Sequence, residues 1–149
     1  MANQDTSRRL FWHGIFVFLL GLISGLVVPM MVSPRMGLSS HLGGVLNGLF
    51  LVTLGLIWSH VNLPPRLLTA TFWLALYSTY GAGWAAAQLA AIFGTSSLTP
   101  IAGAGHTGQP WQENLVNFLL YTGAIAILFV CVFVLWGLRK NAVKQSAAV

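Results

Sequence analysis

Charge is what this sequence has least of. Only 6% of its 149 residues are charged, and Asp5 and Glu113 are its only acids. A water-soluble domain carries about 25% charged residues. A surface facing water on every side cannot be built from so few, which excludes an ordinary soluble helical bundle. The scarcity of acids also argues against a pump or transporter that passes protons along a carboxylate relay. Cys131 is the only cysteine. It allows no intrachain disulfide, and within an apolar run it reads as a small buried hydrophobe. No HExxH or CxxC pattern offers a zinc site, and no Walker-type loop offers a nucleotide site. Seven basic residues give a net charge of +5. They fall at segment ends and form no stripe, so nucleic acid is excluded as a partner.

What the sequence has in abundance is long apolar runs, with 56% of its residues hydrophobic. Four runs, about 10–32, 38–60, 67–93 and 114–138, each reach the ~20 residues that cross a bilayer core. The expected fold is therefore all-α: a four-transmembrane-helix bundle forming one membrane domain over 1–149. The first run follows Arg8 and Arg9 as a signal peptide would, but it resumes as LVVPMMV without a small-x-small cleavage site, so it reads as an uncleaved helix. Pro29 and Pro34 kink or end it. Pro64 and Pro65 separate the second and third helices, and the connection 94–113, rich in Gly, Ser, Thr and Pro, reads as a loop.

An even number of spans puts both termini on one side. Arg8, Arg9, Arg66, Arg139, Lys140 and Lys144 fall there and only Arg35 falls opposite, so the positive-inside rule makes both termini cytoplasmic. Trp12, Trp58, Trp111 and Trp136 stand near span ends as interfacial anchors. Gly21 with Gly25, and Gly44 with Gly48, form GxxxG pairs that permit close backbone approach within or between subunits. Four thin helices enclose little interior, which favours a homo-oligomer.

Polar side chains inside such spans need a partner or a ligand. His41 and Asn47 lie in the outer half of the second helix, Trp84 and Gln88 in that of the third, and Glu113, Asn114, Asn117 and Tyr121 in that of the fourth. Tyr77 and Tyr80 lie nearer mid-membrane. Helical spacing draws Glu113, Asn117 and Tyr121 into one stripe and Tyr77, Tyr80, Trp84 and Gln88 into another. His41 and Asn47 are six residues apart, about 120° around the axis and ~9 Å along it, a spacing that flanks a flat ligand.

His41 can ligate a metal, haem iron above all, or move a proton; the competing reading is a histidine hydrogen-bonded at a helix end. Asn47 can hydrogen-bond a substrate or serve as interhelical glue. Glu113 is a proton donor or acceptor, or else an acid favoured by its helix start. Tyr80 and Tyr121 can protonate or orient a substrate, or simply pack. His13 and His60 read as interfacial and His106 as a loop residue.

The segment LFWHGIFVFLLGLISGL, followed by HLGGVLNG and two further helices, resembles the small four-helix membrane family of styrene oxide isomerase and hydroxylaminobenzene mutase. The resemblance covers nearly the whole chain. Its most characteristic piece is the His-x5-Asn-Gly pattern from His41 to Gly48, with His13-Gly14 near the start. The opening WHGIFVFLLGLISGLVVP is closer to the mutase branch. The epoxide branch carries an aspartate–glycine pair in its third helix where this chain has Tyr77 and Ser78. Its pocket tyrosine falls on Ala86, with Tyr80 on an earlier turn. Both departures argue against styrene oxide as substrate.

The resemblance implies a trimeric membrane enzyme, in a bacterial inner membrane, that binds haem b as a Lewis acid near subunit interfaces. His41 would be the axial ligand and Asn47 would position a small aromatic substrate. Hydroxylaminobenzene would become 2-aminophenol, with Tyr80, or Tyr121 and Glu113 beside Asn117, shuttling the proton. The alternatives are an aryl epoxide to aldehyde isomerase, a haem electron carrier, and a non-enzymatic membrane haem or assembly protein.

Overall fold

The computed structural model describes residues 2–95 and 97–146, with side chains over 4–95 and 97–139. Its helices are α1 (Ala2–Val27), α2 (Pro34–Ile57), α3 (Pro65–Tyr77), α4 (Ala86–Phe93), α5 (Pro100–Gly103) and α6 (Pro110–Ser146). Three helical stretches are long and apolar enough to cross a membrane: Gln4–Met30, Pro34–His60 and Pro110–Arg139. Between the last two, the chain runs as one helical rod from Pro65 to Phe93. Its middle, Ser78–Ala85, is wound as a π-helix.

Prolines punctuate the fold as expected. Pro29 sits in a 3-10 turn, Val28–Met30, that ends α1, while Pro34 and Pro65 open α2 and α3, where a missing N–H costs nothing. The connection 94–113 contains a helical turn, α5, nucleated by Pro100. The beginning of α1, the end of α2 and the start of α3 meet at what we call the terminal end, where Asn62 N–H donates to Gly137 O of α6 at 3.2 Å. At the opposite, loop end, Ser33 N–H donates to Ala91 O at 3.0 Å. The side chains of Lys140 and Lys144, counted above as topology signals, lie outside the described residues.

The α1–α2 hairpin is packed backbone to backbone. A methyl group added at Gly21 would stand 2.6 Å from Val45 N, and one at Gly48 would stand 2.7 Å from Gly14 O. No real Cβ fits there, so the glycine pairs read from the sequence bring two backbones together inside one subunit. Leu10, Val17, Leu51, Leu54, Phe72 and Val130 form the core of the terminal half. Small alanines, Ala87, Ala90 and Ala91, pack on Met36 and Val116 in the loop half.

Leu38, Leu42, Leu46 and Leu49 form an exposed stripe along α2, and Ile15, Leu19, Leu22 and Leu26 form one along α1. Apolar faces of this extent suit hydrocarbon and not water. Two sequence expectations are corrected here. Trp58 is 1% exposed and fills the core, whereas Trp12, Trp111 and Trp136 face outward. Cys131 is exposed and lines an apolar slot between α2 and α6 with Phe50, Leu54 and Val134.

Candidate active site

His41 lies on the face of α2 that meets α1. Its Nδ1 is 2.8 Å from the carbonyl oxygen of Gly21, and its ring lies against Gly25, whose missing side chain makes room for it. A carbonyl oxygen only accepts, so Nδ1 carries the proton and Nε2 keeps its lone pair. Among the described residues no hydrogen bond engages Nε2. The ring borders an open apolar groove of about 570 Å³ with Leu22, Leu26, Val28, Pro29 and Leu38. A ring nitrogen fixed by a backbone carbonyl, with the other left free, is the arrangement of a metal-ligating imidazole.

Asn47 points the other way, toward the third rod. Its Nδ2 donates to Gly43 O one turn back at 2.8 Å, and the amide lies directly against Gly83. A side chain at position 83 would collide with that amide, and one at position 43 would collide with the Gly83 carbonyl. Two glycines thus let the π segment lie on α2 around Asn47. Such π segments commonly mark functional places in helices. Beside it, Trp84 Nε1 donates to Ser24 Oγ at 2.9 Å and Ser40 Oγ donates to Gln88 Oε1 at 2.7 Å. These links satisfy the buried hydroxyls of Ser24 and Ser40 and lock the third rod to the hairpin.

Tyr80 stands three residues before Gly83 and reaches α1. Its hydroxyl is 3.0 Å from His13 Nδ1, and its ring packs edge-on to that imidazole, centroids 5.8 Å apart. Reading His13 as interfacial missed this pair. A separation of 67 positions leaves no local signal; only placing both side chains at one depth would have found it.

The expected stripe of Tyr77, Tyr80, Trp84 and Gln88 is broken by the π winding. Tyr77 turns to Thr122 of α6, its hydroxyl 2.6 Å from Oγ1, while Tyr80 and Trp84 face α1 and Gln88 faces α2. Glu113 and Asn117 sit at the loop end. The Glu113 carboxylate accepts from Ser97 N–H (3.0 Å), Ser97 Oγ (2.7 Å) and Gly108 N–H (2.9 Å). Asn117 Nδ2 donates to the same Ser97 Oγ at 2.9 Å. Tyr121 is exposed on α6. The structure therefore brings Asn47 and Tyr80 to one π segment and leaves His41 on the hairpin's other flank. It gathers Glu113 and Asn117 around the 97–108 connection. Among the described residues no three of His, Cys, Asp and Glu come together as a metal site.

A family model described as styrene oxide isomerase matches residues 6–139. The chain belongs to the styrene oxide isomerase family. Within that family it is 47% identical over 146 residues to "Hydroxylaminobenzene mutase HabB" of Ectopseudomonas oleovorans, covering 97% of this chain and 88% of that one. To "Hydroxylaminobenzene mutase HabA" of the same organism it is 43% identical over 132 residues, covering 88% and 97%. No solved structure matches the chain.

Proposed function

We propose that this family member is an integral membrane isomerase that converts hydroxylaminobenzene to 2-aminophenol. The observation that carries the reading is its 47% identity, over 97% of its length, to a protein named a hydroxylaminobenzene mutase. In this reading the helical rod from Pro65 to Phe93 is a fourth span. The terminal end, with Arg8, Arg9 and Arg66, faces the cytoplasm of a bacterial cell across its inner membrane.

The reaction moves a hydroxyl group from nitrogen to the ortho carbon, and substrate and product are isomers, so no co-reactant is consumed. With Nδ2 engaged by Gly43 O, Asn47 would offer its Oδ1 to the substrate's N–H or O–H. Tyr80 exchanges protons with the ring and the nitrogen as aromaticity returns. The apolar bundle admits a neutral aryl substrate from the bilayer and keeps water from the electron-poor ring.

Haem b fits the residues present. His41 has its Nδ1 occupied by Gly21 O and its Nε2 unengaged beside an apolar groove, so it would hold the iron there. When bound, haem supplies a Lewis acid for polarising the N–O bond. The groove opens outward from α1 and α2, which supports a homo-oligomer, a trimer by family resemblance, in which a second copy covers that face.

The test is to give membranes containing the chain hydroxylaminobenzene and styrene oxide in parallel and resolve the products. Formation of 2-aminophenol is expected. Conversion of styrene oxide to its aldehyde with hydroxylaminobenzene untouched would move the assignment to the epoxide branch, and no turnover of either would end it. An absorption spectrum of the purified protein, with and without substrate, tests haem.

A further inference from the structure

The His13–Tyr80 pair is a half-buried acid–base couple, of which the reading above uses only the phenol. The phenol oxygen is 3.0 Å from Nδ1 and 3.5 Å from His13's own carbonyl oxygen. The imidazole is therefore the better acceptor. Both side chains are half-buried. Phe16 leans on the Tyr80 ring and Phe72 on the His13 ring, with centroids 6.3 and 6.4 Å apart. Gly14, the next residue, is pinned against Gly48 and Val52, which fixes where His13 leaves α1. Tyr80 leaves the π segment one turn from the Gly83 that receives Asn47.

We infer that His13 is a positioning residue for Tyr80 that also takes and returns its proton during the isomerisation. This rests on the hydroxylaminobenzene reading above. Once the hydroxyl group is on the ortho carbon, that carbon must lose a proton and the nitrogen must gain one. A phenol is a poor base by itself. With Nδ1 behind it, the Tyr80 oxygen takes the proton from the ortho carbon while its own proton passes to Nδ1, leaving imidazolium and an intact phenol. The steps then reverse. The phenol proton goes to the nitrogen, Nδ1 returns its proton to the phenol oxygen, and His13 is neutral again. The ortho C–H bond breaks, an N–H bond forms, and no proton or electron is gained or lost.

The test separates basicity from packing. In His13→Asn the side chain keeps a hydrogen-bond acceptor near the Nδ1 position but offers no base. We expect kcat to fall about 100-fold with KM little changed. The kinetic isotope effect from ortho-deuterated substrate should exceed that of wild type, because C–H loss becomes slower. Tyr80→Phe should fall comparably, and the double variant no further than the worse single one, as for residues acting as a unit. A second variant, His13→Gly, should recover with added imidazoles in order of their basicity.

A His13→Asn enzyme within about threefold of wild type, losses that multiply in the double variant, or His13→Gly activity indifferent to imidazole would each overturn the inference. Wild-type membranes without 2-aminophenol formation would overturn the functional reading and this inference with it. An active wild type with an unimpaired His13→Asn would overturn the inference alone.

Discussion

His41 and His13 stand in the same hairpin, one on each helix, and differ in what holds Nδ1. At His41 it is the Gly21 carbonyl, at 2.8 Å. At His13 it is the Tyr80 hydroxyl, at 3.0 Å. A carbonyl can only accept, so His41 has one tautomer and one free nitrogen, fit for a single electrophile. A phenol can give or accept, so the His13 pair can pass a proton in either direction. The difference lies in the partner and not in the histidine: one imidazole is held in a single tautomer, while the partner of the other can either give or take a proton.

Removing the fixed imidazole should have the largest effect. On the haem reading proposed above, His41→Ala is expected to lose the haem and about 1000-fold or more in rate together. Haem retained at the wild-type ratio in the absorption spectrum would break the comparison at its stronger end. His13→Asn comes next, with its ~100-fold loss in kcat and with haem untouched. If that variant lost haem too, the two histidines would belong to one site. Asn47→Ala should cost about tenfold in turnover, the worth of one hydrogen bond of ~1.4 kcal/mol, with haem retained. Unchanged steady-state kinetics would make Asn47 only a spacer for Gly83.

Glu113→Gln sharpens the contrast from outside. Its carboxylate accepts from Ser97 and Gly108 at the loop end. We expect rates within about threefold of wild type and a stability loss of about 1–2 kcal/mol, read as an earlier thermal transition. A rate loss on the scale of His13→Asn would instead bring the α6 acid into the proton chemistry.

The apolar runs and their prolines were legible in the sequence because hydrophobicity and ring constraints act locally. Pro34 and Pro65 open helices wherever they fall. The glycine pairs were legible as permitting close contacts, because their GxxxG spacing puts each pair on one helix face, but not as contacts within one subunit. His41 and Asn47 could be placed on different faces of α2 from their spacing alone. The His13–Tyr80 bond could not be read, because it depends on where three helices meet. Nor could the π winding over Ser78–Ala85, which no local pattern in the sequence announces. That omission misled the reading of Tyr77 and Tyr80 as a single stripe.

The π segment also sets how forgiving this stretch is to insertion and deletion. An α-helix turns about 100° per residue. A π turn takes up about one residue more than an α turn for the same rotation, so the rod already carries slack between positions 78 and 85. Deleting one residue there would let it rewind as a plain α-helix while Tyr77 still faced Thr122 and Gln88 still faced Ser40. The same deletion in the α-helical stretch Ala86–Phe93 finds no such slack and would swing everything beyond it by about 100°. Along this rod, spacing is a measure of orientation as much as of length.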